Sequence, residues 1–139
     1  MSPVLLDTGV IVALLDRDER HHGACVAAVR DLAESLVTCE AVIAESCYLL
    51  RTIRGAPDRV LENVERGTFR IPVHLDASIK GVRTLMRRYA SVPMSLADAC
   101  LVEIAGILKT GRILTLDGDF NVYRWRRTRR FELLVDLET

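Results

Sequence analysis

Short apolar segments alternate with longer segments of helical periodicity along this chain, and this alternation is the feature that most limits its fold. The strand-like segments are brief, aliphatic and followed by turn residues. Predicted strands cover 3–6, 36–38, 69–75, 112–116 and 131–135, and predicted helices cover 10–15, 22–34, 40–54, 58–66, 77–88 and 96–108. Strands that alternate with helices favour a central parallel β-sheet flanked by helices on both faces, so the predicted fold class is α/β.

One domain over residues 1–139 accounts for the whole chain, because 139 residues can bury a core of their own and no repeat or linker interrupts them. No apolar run approaches the roughly eighteen residues of a membrane span. The first apolar run is cut by Asp7 and has no basic stretch before it, so a signal peptide is not expected. The four cysteines form no CxxC pair and are typical of buried thiols in a reducing compartment. We expect a cytoplasmic protein.

Net charge predicts no polyanionic partner, because 19 Lys and Arg balance 19 Asp and Glu. The distribution of charge is more informative, since a short segment around Trp125 is crowded with arginine. Its basic residues are Arg124, Arg126, Arg127, Arg129 and Arg130. Arginines can follow a phosphate backbone while an aromatic ring stacks on a base, so this segment is a candidate RNA-binding segment. The alternative is a solvated loop or helix face whose Trp125 packs on the core.

Four acidic residues stand where the predicted architecture could bring them to one crevice. Asp7 and Asp117 each follow an apolar strand, and ligands of open parallel sheets bind beyond the carboxyl ends of the strands. Glu45 and Asp98 lie on apolar faces of predicted helices, where we expect a carboxylate to be partly desolvated. Structural roles are the alternatives. Asp7 and Asp117 suit turns, Asp98 suits a capping box, and Glu45 suits a helix edge or an ion pair with arginine.

Carboxylates that share a site repel one another, and this predicts a hard divalent cation among them. Mg²⁺ and Mn²⁺ prefer oxygen ligands, and they can neutralise a phosphate and acidify a bound water. The predicted chemistry is therefore metal-assisted attack of water on a phosphodiester. Zinc is disfavoured, since the histidines and cysteines lack the spacing of zinc sites. No phosphate-binding loop, GxGxxG, HExxH or GxSxG motif is present, and Gly9 stands where an aspartyl phosphatase would carry its second acid.

Four motifs follow one another in order along the chain. They are Leu5-Leu6-Asp7-Thr8, Glu45 within an apolar helix, Ser95-Leu96-Ala97-Asp98-Ala99, and Leu114-Thr115-Leu116-Asp117-Gly118-Asp119-Phe120. In order, spacing and chain length this pattern resembles the PIN-domain ribonucleases of the VapC toxin type, and the resemblance covers essentially the whole chain. The last motif is the most specific. The resemblance implies a parallel sheet in which the first strand lies beside the strand that precedes Asp117.

The resemblance further implies an Mg²⁺- or Mn²⁺-dependent endoribonuclease, commonly a homodimer, that is silenced by a cognate antitoxin filling the site. Carried over, the catalytic residues are Asp7, Glu45, Asp98 and Asp117. Metal binding falls to Asp7, Asp98 and Asp117, and Glu45 either joins them or orients the attacking water as a base. The supporting residues are Asp119, Thr8 and Thr115. Whether Asp117 or Asp119 lies nearer to the metal stays open.

Two other functions remain open at this stage. The first is a catalytically silent PIN-like module whose acidic pocket receives an arginine from a partner protein. The second is a related nuclease that cleaves DNA. Cleavage of RNA, but not DNA, in the presence of a divalent cation would exclude both.

Overall fold

The computed structural model describes residues 2–137, and a five-stranded parallel sheet forms their centre. In chain order the strands are β1 (Val4–Leu6), β2 (Leu36–Val37), β3 (Phe69–Arg70), β4 (Arg112–Leu114), β5 (Arg124–Trp125), β6 (Arg129–Arg130) and β7 (Glu132–Leu133). The sheet order is β3-β2-β1-β4-β7, while β5 and β6 form a separate antiparallel hairpin. The predicted domain also includes Met1, Glu138 and Thr139, which lie outside the described residues.

Within residues 2–137, six α-helices connect the strands. They are α1 (Thr8–Leu15), α2 (His22–Arg30), α3 (Glu40–Leu49), α4 (Ala56–Glu65), α5 (Leu75–Arg88) and α6 (Leu96–Leu108). A short 3-10 helix follows β4 at Gly118–Asn121. Parallel strands joined by helices confirm the predicted α/β class.

Strand β1 lies at the centre of the sheet and explains why its sequence is apolar without alternation. Its successive side chains Val4, Leu5 and Leu6 point to opposite faces, yet all three are 0% exposed, so helices cover both faces. The chain adds β2 and β3 on one side of β1 and β4 and β7 on the other. The point between β1 and β4 where this order reverses is the place where α/β proteins form a ligand crevice.

Several element boundaries differ from the predicted ones. The helix predicted over 40–54 ends at Leu49, and the strand predicted over 69–75 is also five residues shorter than predicted. The strand covers only Phe69–Arg70, and Leu75 is already the first residue of α5. Pro72 has no N–H to donate to a neighbouring strand, which ends the strand early. Ile71 and Val73 nevertheless pack against the core from irregular backbone, and their apolar character is the reason that the sequence predicts a longer strand.

The four cysteines are all free thiols, as predicted. Cys25, Cys39 and Cys100 are buried and Cys47 is partly buried. In the part of the chain that the structure describes, no helix has the length and apolar character needed to cross a bilayer.

Replacement of a central strand residue tests the position of the core. Leu5→Ala should lower the free energy of unfolding by about 2–5 kcal/mol, because it leaves a cavity between the two helical layers. The matched control is Leu61→Ala on α4, where the side chain is 52% exposed and the expected change is within about 0.5 kcal/mol. Urea unfolding at pH 7.5 measures both. Equal losses in the two variants would contradict this placement of the core.

Candidate functional site

The ends of β1 and β4 bring two acidic residues into one crevice. Leu6 of β1 pairs with Leu114 of β4, and Asp7 follows β1 directly while Asp117 lies just beyond β4. The Asp7 N–H donates to the Leu114 carbonyl at 3.0 Å, which ties the two strand ends together. The structure thus confirms that β1 and β4 are adjacent in the sheet, as the resemblance implied.

Asp7 is buried, at 7% exposed, and both of its carboxylate oxygens accept hydrogen bonds. The Thr8 N–H donates to Oδ1 at 2.8 Å and the Thr115 hydroxyl donates to Oδ2 at 2.7 Å. Desolvation by burial outweighs these bonds and, with smaller contributions from the charges of Asp98 and Asp117, raises the Asp7 pKa to about 6. At neutral pH this carboxylate is therefore held in its charged form at a cost in stability.

Asp98 lies in the first turn of α6 and is also buried, at 8% exposed, as the sequence predicts. Its backbone N–H donates to the Ser95 hydroxyl at 3.0 Å, so Ser95 caps the helix. The Tyr123 hydroxyl donates to Asp98 Oδ2 at 2.8 Å. Burial raises the pKa of Asp98, and the charges of Asp117 and Asp119 raise it further. The capping role and a place in the acidic crevice therefore coexist in one motif.

The loop after β4 adds a second pair of acids. Asp117 Oδ1 accepts a hydrogen bond from the Asp119 N–H at 2.9 Å and thereby caps the 3-10 helix, so the turn role predicted as an alternative is also present. The Asp117 N–H donates to the Thr115 hydroxyl at 3.0 Å, so Thr115 links this loop to Asp7. One carboxylate oxygen from each of Asp98, Asp117 and Asp119 lies within 4.8 Å of the other two.

A pocket of about 660 Å³ joins this cluster to the remaining predicted acids. Its acidic lining residues are Asp7, Glu19, Glu45, Asp98, Asp117 and Asp119. The prediction that Glu45 is partly desolvated is wrong, because Glu45 is exposed. Helix α3 buries Val42, Ile43 and Ser46, and this face leaves Glu45 on the pocket side of the helix. Among the described residues Glu45 forms no ion pair with an arginine.

Two further residues of this region were missed by sequence reasoning. Tyr123 is 0% exposed, and its ring packs edge-on against Phe120 with centroids 5.1 Å apart, which aims its hydroxyl at Asp98. Glu19 lines the pocket from the loop between α1 and α2, and its side chain accepts a hydrogen bond from the His21 N–H at 2.8 Å. Neither residue carries a periodicity or motif that marks it, since both reach the site through tertiary packing.

The arginine-rich segment forms the hairpin of β5 and β6. Trp125 is partly buried against the core, and its indole N–H donates to the Arg130 carbonyl at 3.1 Å, so the core-packing alternative holds for this ring. Arg129 lies over the same ring, 5.5 Å from its centroid. The Arg124 guanidinium donates to the carbonyls of three residues at 121–123 and holds the end of the 3-10 helix. RNA binding by these arginines stays a prediction.

The lining chemistry of the acidic pocket fits a hard divalent cation. The side-chain donors are carboxylates and hydroxyls, and no histidine or cysteine occurs among the described lining residues. The Thr8 hydroxyl lines the same pocket, is buried and has no hydrogen-bond partner within residues 2–137. Oxygen-only surroundings are those that Mg²⁺ and Mn²⁺ prefer, and Mg²⁺ usually needs only one or two carboxylates from the protein.

A parallel sheet whose central strands end in a cluster of carboxylates is the architecture of a PIN domain. The family model described as "PIN domain" matches residues 4–126, and the chain belongs to this family. Within the family it is of the VapC type. It is 30% identical over 116 residues to "Ribonuclease VapC26" of Mycobacterium tuberculosis, with 82% of this chain and 86% of that protein covered.

A solved structure shows the same fold. The crystal structure of Mycobacterium tuberculosis VapC20, described as a toxin that cleaves the sarcin-ricin loop, matches with a TM-score of 0.78 and 19% identity. The match covers 91% of this chain and 98% of that one. The family model and the 30% identical relative confirm the prediction of a VapC-type PIN domain, and this structure agrees with it in fold.

Substitution of Asp7 should stabilise the metal-free protein at neutral pH. Its pKa is raised from 3.8 to about 6, so between these values the folded state holds a proton that the unfolded state releases. The free energy of unfolding therefore falls as pH rises from about 4 to about 6, by up to about 3 kcal/mol for this group. Asp7→Asn should recover much of this loss at pH 7.5 and little at pH 4. Unfolding in EDTA measures it, with the exposed Asp18→Asn as control. A less stable Asp7→Asn at pH 7.5 would contradict the argument.

Removal of the Tyr123 hydroxyl should expose its role as a hydrogen-bond donor to Asp98. Tyr123→Phe is expected to lower the free energy of unfolding by about 1–3 kcal/mol at pH 8. The loss should shrink as the pH is lowered, because the bond favours the charged form of Asp98, whose pKa is raised by burial, and so matters less once this carboxyl is protonated. Tyr89→Phe is the matched control, since the Tyr89 hydroxyl accepts from the Arg124 N–H instead. A Tyr123→Phe loss that does not change with pH would refute this role.

Proposed function

We propose that this protein is an endoribonuclease that hydrolyses RNA phosphodiester bonds with Mg²⁺ or Mn²⁺. The observation that carries the proposal is the approach of the Asp98, Asp117 and Asp119 carboxylates to within 4.8 Å, in a pocket that also contains the buried Asp7. These carboxylates would repel the phosphodiester unless a cation lies between the carboxylates and the phosphate. The similarity to a protein named a ribonuclease supports RNA as the substrate.

The carboxylates proposed to hold the cation are Asp7, Asp98 and Asp117, and Asp119 joins them because it shares the three-residue cluster. When bound, the cation neutralises the phosphate and acidifies a water molecule. Thr115 keeps two of the acids in place, since its hydroxyl donates to Asp7 and accepts from the Asp117 N–H.

Two side chains that the cluster does not engage suit the remaining steps. Glu45 lies exposed on α3 at the edge of the pocket, where a carboxylate oxygen can accept the proton of the attacking water as a general base. The Thr8 hydroxyl, which is buried and has no hydrogen-bond partner among the described residues, can donate to a phosphate oxygen in the pocket. The products would carry a 5′-phosphate and a 3′-hydroxyl.

The same proposal includes a biological role as the toxin of a toxin–antitoxin pair. It rests on the similarity to two proteins of the VapC type, one of which is described as a toxin. A cognate antitoxin would silence the protein by filling the acidic pocket. We further infer that the protein acts in the cytoplasm as a homodimer.

Cleavage of RNA by the purified protein tests the function. The wild type should cut RNA with Mg²⁺ or Mn²⁺ and stop in excess EDTA. Asp98→Asn should lower the rate at least about 100-fold, because it removes one of the carboxylates proposed to hold the cation. The control is Asp58→Asn, an exposed acid on α4. Each variant's fold is checked by its unfolding transition.

Three results would overturn the proposal in different ways. Undiminished cleavage in EDTA would remove the metal from the mechanism. Cleavage of DNA but not RNA would favour the related DNA nuclease. An inactive wild type that binds a small protein partner tightly would favour the silent module.

A further inference from the structure

A second groove, of about 670 Å³, lies between α5, α6 and the β5–β6 hairpin. Its charged lining residues are Lys80, Arg88, Glu103, Arg124, Arg126 and Arg127. Five of these six carry a positive charge, in a protein whose formal net charge is zero. The groove is therefore strongly electropositive relative to the rest of the molecule.

Basic residues around this groove belong to a wider separation of charge. Residues 75–88 of α5 contain four basic residues and only one acid, and residues 124–130 contain five arginines and no acid. These two segments hold nine of the 19 basic residues of the chain. The acidic pocket draws on neither segment, so the two sites have opposite charge.

Contacts at one position of α6 and one position of α5 shape the groove. Gly106 of α6 lies against the stem of Arg126, whose Nε donates to the Gly106 carbonyl at 3.0 Å. A Cβ at Gly81 of α5 would collide with the Glu103 carboxylate, so glycine here lets Glu103 lie against α5. The hairpin tip is thus fastened to α6 at the edge of the groove.

Backbone conformation at the hairpin tip argues that the arginines there serve more than folding. Arg126 has φ 48° and Arg127 has φ 70°, both in the left-handed region. Glycine or asparagine suits such positions best, so two successive arginines make the turn less stable than it could be. Residues held in such sparsely populated backbone conformations cluster at active sites and ligand-binding segments.

We propose that this groove binds the phosphate backbone of single-stranded RNA beside the acidic pocket. The inference rests on the proposed nuclease function. Helix α6 joins the two sites, because Asp98 lies in its first turn and Gly106 lies about 12 Å further along its axis. Arg124 directly follows Tyr123, whose hydroxyl contacts Asp98. A strand with its scissile phosphate at the acids could therefore reach the groove within a few nucleotides.

RNA is a better match than an acidic peptide for the same groove. Lysine and arginine bind phosphates through charge and directed hydrogen bonds, with release of the counterions of the nucleic acid. Glu103, the one acid among the lining residues, can accept a hydrogen bond from a ribose hydroxyl, whereas an acidic peptide offers it mainly further carboxylates.

Binding is measured on the Asp98→Asn background, in EDTA, with a short fluorescent single-stranded RNA of mixed sequence. The groove variant is Lys80→Ala with Arg127→Gly, and glycine relieves the left-handed position so that the fold is retained. Its affinity should fall about tenfold or more at 0.1 M salt. The slope of log K against log salt should shrink by about 1.4, since each lost phosphate contact to a single strand contributes about 0.7.

The matched control is Arg83→Ala with Arg87→Ala, which removes the same charge from exposed positions of α5 outside the groove lining. Its affinity should stay within about twofold of the Asp98→Asn parent. Equal weakening in both double variants, or none in the groove variant, would overturn the inference. Displacement of the RNA by polyglutamate at equal charge concentration would overturn it in favour of an acidic peptide.

Failure of the nuclease proposal would be recognised separately. Binding is measured on a variant designed to be inactive, so its outcome does not depend on cleavage. A wild type that cuts no RNA while the groove variant binds weakly would refute the nuclease function and leave the RNA groove supported. A wild type that cuts RNA while the groove variant binds normally would support the nuclease function and refute the RNA groove.

Discussion

The acidic pocket of this protein depends on several carboxylates being held close together at the ends of β1 and β4. Burial raises the pKa of Asp7 to about 6 and also raises that of Asp98, so charging either carboxylate in the folded protein costs stability. Hydrogen bonds from Thr115 and Tyr123 offset part of that cost and set the direction of each carboxylate. A bound cation can offset the rest of this free-energy cost. Without the cation, the site therefore lowers the stability of the folded protein in exchange for function.

Helix α6 connects this acidic pocket with the basic groove. Its first turn carries Asp98 and its later turns carry Glu103 and Gly106, so one rigid element sets the distance between the two sites. In the proposed function the two sites have different roles in binding and cleaving the RNA strand. Arginine and lysine attract the strand, and the carboxylates, which alone would repel it, provide the surroundings for a cation. Although the formal net charge is zero, the acidic pocket and the basic groove carry opposite charges, and both suit an RNA substrate.

The structure departs from sequence-based expectation in a few specific places. Glu45 shares an apolar run with buried neighbours, but α3 turns Val42 and Ser46 to the core and leaves Glu45 exposed. An apolar composition over 69–75 predicted a strand that Pro72 ends after Phe69–Arg70. In each case the local pattern was present, and the direction of a side chain or a missing N–H decided the outcome.

By itself, the sequence determined the α/β class, the approximate positions of the strands of the central sheet and of the six α-helices, and the acidic motifs, because periodicity, turn residues and strand ends are local properties. It did not predict the β5–β6 hairpin. It could not determine which strands are neighbours except through family resemblance. Only the folded chain placed Asp119 beside Asp98 and Asp117 and aimed Tyr123 at Asp98. Distances between residues far apart along the chain depend on strand order and helix packing, and no short segment of sequence contains that information.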